Sequence, residues 1–190
     1  MNILRFTILA FALATAGCST LEGREVLADG ERYASQAALP YRLGPGDVVA
    51  IQVYGEPDLS GPRTVAADGT ISLPLIGSIK ALQLTPEELA NEAIVRYSAG
   101  FLRMPSVTAQ VTQYRPFFVL GEVGKPGQYP YVPGMTVLGA IATAEGFNPR
   151  ANRKFIFIEP EDSDEEKAYQ VEPSLRIYPG DTIRVGERYF

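Results

Sequence analysis

The sequence predicts an α+β protein made of two small domains, and three observations carry that prediction. Fifteen prolines and 18 glycines are spread along the 190 residues, a sign of many turns joining short strands. Apolar residues alternate with period two in several short runs. Two segments carry a helical apolar stripe, each behind a capping residue.

Ahead of the domains, residues 1–17 read as an export signal. Arg5 supplies the positive start, Phe6 to Ala16 is apolar, and Ala16-Gly17 are the small residues expected just before a cut between Gly17 and Cys18. The run is well short of the roughly 20 residues that span a bilayer. Cys18 is the only cysteine, so an internal disulfide is excluded. Attachment of diacylglycerol to its sulfur accounts for it, the other reading being an ordinary secretory signal with a chance cysteine. Thr15-Ala16-Gly17-Cys18 resembles a bacterial lipobox, with Thr15 where Leu is usual. Ser19 follows instead of the Asp typical of inner-membrane retention, which implies a lipid anchor in the outer membrane, facing the periplasm. Residues 18–40, polar and holding Gly23 and Asp29-Gly30, read as a flexible tether.

The first domain is expected over residues 41–113. Val49, Ile51 and Val53 alternate as a strand. Val65, then Asp68-Gly69, then Ile71 and Leu73 suggest a hairpin with a tight turn. Thr85-Pro86-Glu87-Glu88 has the form of a capping box with proline at the first helical position. Leu89, Ala93 and Tyr97, flanked by Ala90 and Ile94, make one apolar face, and Gly100 ends the helix. Val107, Ala109 and Val111 give a further strand, so the unit reads β-β-β-α-β.

The second domain is expected over residues 114–190. Phe117 to Leu120 is a strand, Gly121 to Gly127 a turn, and Tyr129 to Val132 the returning strand. Thr136 caps a short helix with Val137, Leu138, Ile141 and Ala142 as its stripe, ending at Gly146. Phe155 to Ile158 is followed by the acidic loop Glu159 to Glu166, then by strands at Tyr169 to Val171 and Ile183 to Val185. Two strands, a helix and further strands make a β-grasp order.

An internal echo links the domains. Arg42-Leu43-Gly44-Pro45-Gly46-Asp47 matches Arg176-Ile177-Tyr178-Pro179-Gly180-Asp181. Proline fixes φ, glycine accepts a positive φ, and aspartate caps the turn through its own side chain. Read as a local cap, Asp47 should contribute ~0.5–2 kcal/mol.

Composition narrows the function. Seventeen basic residues stand against 22 acidic ones, a net charge of −5; without Arg5 the balance is 16 to 22. That opposes nucleic-acid binding. The chain has no histidine, which removes Ser-His-Asp, Cys-His and histidine-based zinc sites. Carboxylate pairs could still hydrolyse glycosides, but Glu56 and Asp58 fall in a Gly/Pro turn, and Asp47, Asp68 and Asp181 belong to turn motifs. The acidic run lacks the glycine of a calcium loop, Lys167 standing in its place in the Asp162 register. Gly121, Gly124 and Gly127 do not open a helix, so no phosphate loop is expected. No catalytic residue, metal or cofactor is expected. Tyr114, Phe117, Phe118, Tyr129 and Tyr131 read first as strand-pair core and second as sugar-stacking faces, and no sugar-contacting residue is singled out.

Tyr41 to Asp47, then Val65-Ala66-Ala67-Asp68-Gly69-Thr70-Ile71-Ser72-Leu73-Pro74-Leu75-Ile76-Gly77, strongly resembles the polysaccharide-export domain of the Wza-like outer-membrane family. Val119-Leu120-Gly121-Glu122-Val123, Pro126-Gly127-Gln128-Tyr129 and Ala144-Glu145-Gly146-Phe147 resemble the soluble-ligand-binding β-grasp (SLBB) module that accompanies it. The resemblance marks Pro45, Gly46, Asp47, Asp68, Gly69, Pro74, Gly77, Pro179, Gly180 and Asp181 as motif positions of structural or interface type. It implies a subunit that moves capsular or extracellular polysaccharide, a homo-oligomeric ring, and an inner-membrane co-polymerase of the chain-length-regulator and tyrosine-kinase type as partner. Larger members add further β-grasp modules and a C-terminal amphipathic helix that builds a pore; here one module leads to Phe190, five residues past Val185. A separate outer-membrane β-barrel is therefore expected. The alternative is a periplasmic lipoprotein that binds a glycan or small ligand without forming a conduit.

Overall fold

A computed structural model of the protein describes residues 40–188 apart from residue 164. The expected signal, Cys18, nearly all of the tether and Phe190 lie outside the described residues. Within them the fold is α+β, with two helices and ten strands in three sheets. Two separate apolar cores stand behind this division, one built from Leu43 to Val107 and one from Phe117 to Val185.

The first half contains β1 (Val48–Val53), a 3-10 turn (Pro57–Leu59), β2 (Gly61–Thr64), β3 (Thr70–Leu73), β4 (Gly77–Lys80), α1 (Pro86–Ser98) and β5 (Val107–Gln113). β1 is the centre of an antiparallel sheet, with β2 on one side and β5 on the other. Val49, Ile51 and Val53 are buried as the alternation requires. The expected capping box at α1 is present: Glu88 N–H donates to Thr85 Oγ1 at 3.1 Å, and Thr85 N–H to Glu88 Oε2 at 2.8 Å. Leu89, Ala93 and Tyr97 form the fully buried stripe.

Two expectations for this half need correction. Four strands precede the helix, not three. The strand expected at Val65 ends just before it, as β2, whose Pro62 is tolerated because β2 is an edge strand; the strand not foreseen is β4, where only Ile79 is buried and no alternation shows. The Asp68-Gly69 turn exists, with Gly69 N–H donating to Ala66 O at 2.9 Å, but it does not close a hairpin. Val65 is drawn to the first Pro-Gly-Asp turn, donating to Asp47 O at 2.8 Å and accepting from Gly46 N–H at 2.9 Å. The chain therefore changes sheet at the turn, and β3 pairs with β4.

The second half contains β6 (Phe117–Gly121), β7 (Gly127–Tyr129), α2 (Val137–Thr143), β8 (Phe155–Glu159), β9 (Lys167–Gln170) and β10 (Thr182–Val185). Its sheet order is β7-β6-β10-β8-β9, and β10 runs parallel to β6 with Ile183 opposite Val119. The last strand thus inserts beside the first. β7 covers Gly127–Tyr129 instead of Tyr129 to Val132, because Pro130 has no N–H to continue the ladder. The buried stripe of α2 is Val137, Ala140 and Ile141, continued by the buried C-cap residue Ala144; Leu138 is half-buried and Ala142 exposed. These buried positions follow the i, i+3, i+4, i+7 spacing of one helical face.

Candidate functional site

The two Pro-Gly-Asp turns fold alike. Gly46 and Gly180 both have φ +90°. Asp47 Oδ2 accepts from Gly44 N–H at 2.9 Å, and Asp181 Oδ2 from Tyr178 N–H at 2.8 Å. Asp47 (0% exposed) and Asp181 (3%) are the only polar or charged side chains buried to this degree among the described residues. Each turn is also stitched to another segment of its own half. Gly46 bonds Val65, while Gly180 N–H donates to Pro116 O at 3.0 Å and Phe118 N–H to Asp181 O at 2.9 Å.

Both turns grip the connection between the halves. β5 ends at Gln113 and β6 begins at Phe117, so the link is Tyr114-Arg115-Pro116. Arg115 N–H donates to Asp47 Oδ1 at 2.8 Å, and its Nη1 donates to Asp47 Oδ2 at 3.2 Å and to Tyr41 Oη at 2.9 Å. Tyr41 O–H donates to Asp47 Oδ2 at 2.6 Å. Burial and this bond push the Tyr41 phenol far above its ordinary pKa, which keeps it a donor. On its other side, the Arg115 Nε pairs with the Glu161 carboxylate, out of line for a hydrogen bond.

Glycine makes room for that ion pair from both directions. A Cβ on Gly44 would stand 2.3 Å from Arg115 Nη1, and one on Gly180 would stand 2.5 Å from Glu161 Oε2. The Arg115–Glu161 pair thus sits between the two copies of the echo, where a Cβ on either glycine would force the Arg115 or Glu161 side chain to shift. Both oxygens of Asp47 accept from these donors, so this carboxylate holds the link in place.

Beside the clasp lies a cleft of about 340 Å³ between the two halves. Tyr41, Tyr114, Tyr131 and Tyr178 furnish its aromatic wall, with Arg42 and Arg176 at its rim. Tyr114 packs edge-on against Tyr41 at 4.9 Å between centroids and against Tyr131 at 5.6 Å. Burial raises the pKa of Tyr131 and of Tyr178. Asp162 lines the cleft as well. Among the described residues, no three acidic side chains converge as metal ligands.

The motif positions therefore divide. Pro45, Gly46, Asp47, Pro179, Gly180 and Asp181 meet around the link. Asp68, Gly69, Pro74 and Gly77 sit apart, about the β3–β4 hairpin. Asp68 Oδ1 accepts from Thr70 N–H at 2.9 Å and Thr70 Oγ1 at 2.8 Å, bonds that lower its pKa. Pro74 O accepts from Tyr97 O–H at 3.2 Å, fastening the hairpin to α1. Of the aromatic group, Phe117 is core, Tyr129 packs on it at 5.9 Å, and Phe118 is exposed. Tyr114 and Tyr131 instead reach the cleft. Sequence reasoning assigned none of Tyr41, Arg115, Glu161 and Tyr178 to this site: Tyr41 entered only as the start of the family-like run, Glu161 only within the acidic loop, and Tyr178 only through the echo, which sets it in Gly44's place.

Comparison with known proteins matches this architecture half by half. The family described as polysaccharide biosynthesis/export protein matches residues 35–112, and the SLBB domain matches residues 116–171. The chain carries a polysaccharide-export domain followed by an SLBB domain. It is 32% identical to the exopolysaccharide production protein ExoF of Rhizobium meliloti over 91% of this chain and 40% of that protein. It is 33% identical to the EPS I polysaccharide export outer membrane protein EpsA of Ralstonia solanacearum, over 58% of this chain and 36% of the relative. Identity to the polysialic acid transport protein KpsD of Escherichia coli is 27%, over 57% and 20%. The chain thus spans well under half the length of these curated relatives.

Proposed function

We propose that this protein is a subunit of a polysaccharide-export machine, acting without catalysis as a lipid-anchored periplasmic ring or adaptor at the outer membrane. The observation that carries this reading is the uninterrupted order of an export domain and an SLBB domain, with likeness to an exopolysaccharide production protein over 91% of the chain. In this reading residues 1–17 are removed, Cys18 bears the lipid, residues 18–40 form the tether, and the domains divide between residues 113 and 114. The polymer is the cargo, further copies complete the ring, and an inner-membrane co-polymerase and an outer-membrane β-barrel are the neighbours in the machine. The clasp supports it physically: a subunit that guides a polymer needs its domains held in one relative orientation, and Arg115 binds both.

Deletion of the gene tests the reading. Extracellular or capsular polymer should disappear from the cell surface and return with the wild-type gene. Cys18→Ser should move the protein out of the outer-membrane fraction and reduce export. Normal polymer release from the deletion strain would overturn the export role, and an unchanged membrane distribution of the Ser variant would overturn the anchor.

A further inference from the structure

Resting on the export reading above, we propose that the inter-domain cleft is a weak subsite for one uncharged sugar unit of the polymer. Its volume, about 340 Å³, sits at the small end of ligand sites. Tyrosine rings present a negative π face, which attracts the polarised C–H groups on the apolar face of a pyranose. Tyr41, Tyr114, Tyr131 and Tyr178 bring four such rings to one hollow, from both domains.

The rim supplies the polar half of such recognition. Arg42 and Arg176 are exposed guanidiniums, one from each copy of the echo. Asp162 is an exposed carboxylate on the same rim. Donors beside an acceptor suit vicinal hydroxyls, which both give and take hydrogen bonds. The charge balance decides the ligand class. Arg115 is consumed by Asp47 and Glu161, and Arg42 already faces Glu88 at 3.5 Å. Along the whole lining, Arg42, Arg115 and Arg176 are matched in number by Glu161, Asp162 and Asp181. A carboxylated or sulfated sugar would meet acidic neighbours without a surplus of cations. A neutral pyranose meets no such opposition.

The test uses the full-length protein purified in detergent, with NMR signals of labelled tyrosine rings as the readout. The probes are a neutral glucose pentaose, a neutral galactose pentaose and, for comparison, tetragalacturonate. A neutral pentaose should shift the four cleft tyrosines at millimolar concentration and leave Tyr97, buried in the first core, in place. Arg176→Gln with Tyr178→Ala should weaken that binding about tenfold, with an unchanged far-UV spectrum. Arg176→Gln alone, at an exposed position, keeps the test valid should the double variant fold poorly. Absence of shifts at the cleft tyrosines with both neutral probes overturns the subsite, as does binding of tetragalacturonate alone. Binding together with normal export from the deletion strain would keep the subsite and sink the export role. Lost export without binding would do the reverse.

Discussion

Asp47 is held entirely away from solvent and accepts from Gly44, Tyr41 and both the backbone and side chain of Arg115. Removing its carboxylate strands all of these donors, two of them on a guanidinium-bearing residue that is itself mostly buried. Asp47→Ala should therefore cost ~3–5 kcal/mol, the scale for deleting one partner of a buried ion pair, and not the smaller sum of a local cap. Asp47→Asn, which keeps a carbonyl acceptor, should fall between that variant and wild type in urea unfolding. A loss below 1 kcal/mol for Ala would return Asp47 to the role of a simple turn residue. The turn chemistry was legible in Pro-Gly-Asp; the hub was not, since Arg115 lies 68 residues away and no local pattern links the two. Tyr41 adds a pH signature. Its folded pKa is raised by burial and by Asp47, so the unfolded chain loses that proton near pH 10 while the folded chain retains it. The folded state then binds more protons, and stability falls as pH rises above about 10. Tyr41→Phe should flatten this decline, though incompletely, because Tyr97, Tyr131 and Tyr178 are shifted the same way. An identical alkaline slope in the two proteins would show that Tyr41 contributes nothing to it.

Among the elements, α1 was the easiest to read, because its start signal is local and complete. Both arms of the capping box close within four residues, and its buried stripe follows the 3.6-residue period. Thr85→Ala should destabilise the protein by about 1 kcal/mol, seen as a lower urea midpoint with unchanged slope. An unaltered midpoint would mean that packing of Leu89, Ala93 and Tyr97 alone sets the helix start. The strands were harder. A glycine turn between two apolar runs looks like a hairpin whichever sheet each run joins, and only the bonds from Val65 to Gly46 and Asp47 decide the matter. Leu75, at φ +67° and exposed, shows the same limit: Leu-Pro-Leu-Ile-Gly marks a family by its letters, while its left-handed leucine forms the β3–β4 turn. β10 presents the opposite case. It was legible as a strand, and its β-grasp order follows from insertion beside β6, where Gly121 (φ +84°) leaves no room for a side chain: a Cβ there would stand 2.1 Å from Val185 O.

At the level of the whole molecule, two cores and a three-residue link could by themselves give two domains that turn freely. The clasp opposes that freedom. Arg115 is bonded to Asp47 in the first half and paired with Glu161 in the second, while Pro116 O is held by Gly180. Replacing Arg115 by Ala removes the side-chain pairings to both halves. Asp47 keeps three donors, Gly44 N–H, Tyr41 O–H and the residue 115 N–H, so each domain should still fold. Urea unfolding followed by tyrosine emission, which no tryptophan obscures, should then broaden or split relative to wild type as the two cores melt independently. In cells the same variant should export less polymer even when its abundance is matched to wild type, since the clasp orients the domains as well as stabilising them. Unfolding as cooperative as wild type, together with full export, would mean that the short link and the Pro116–Gly180 bond suffice to orient the halves.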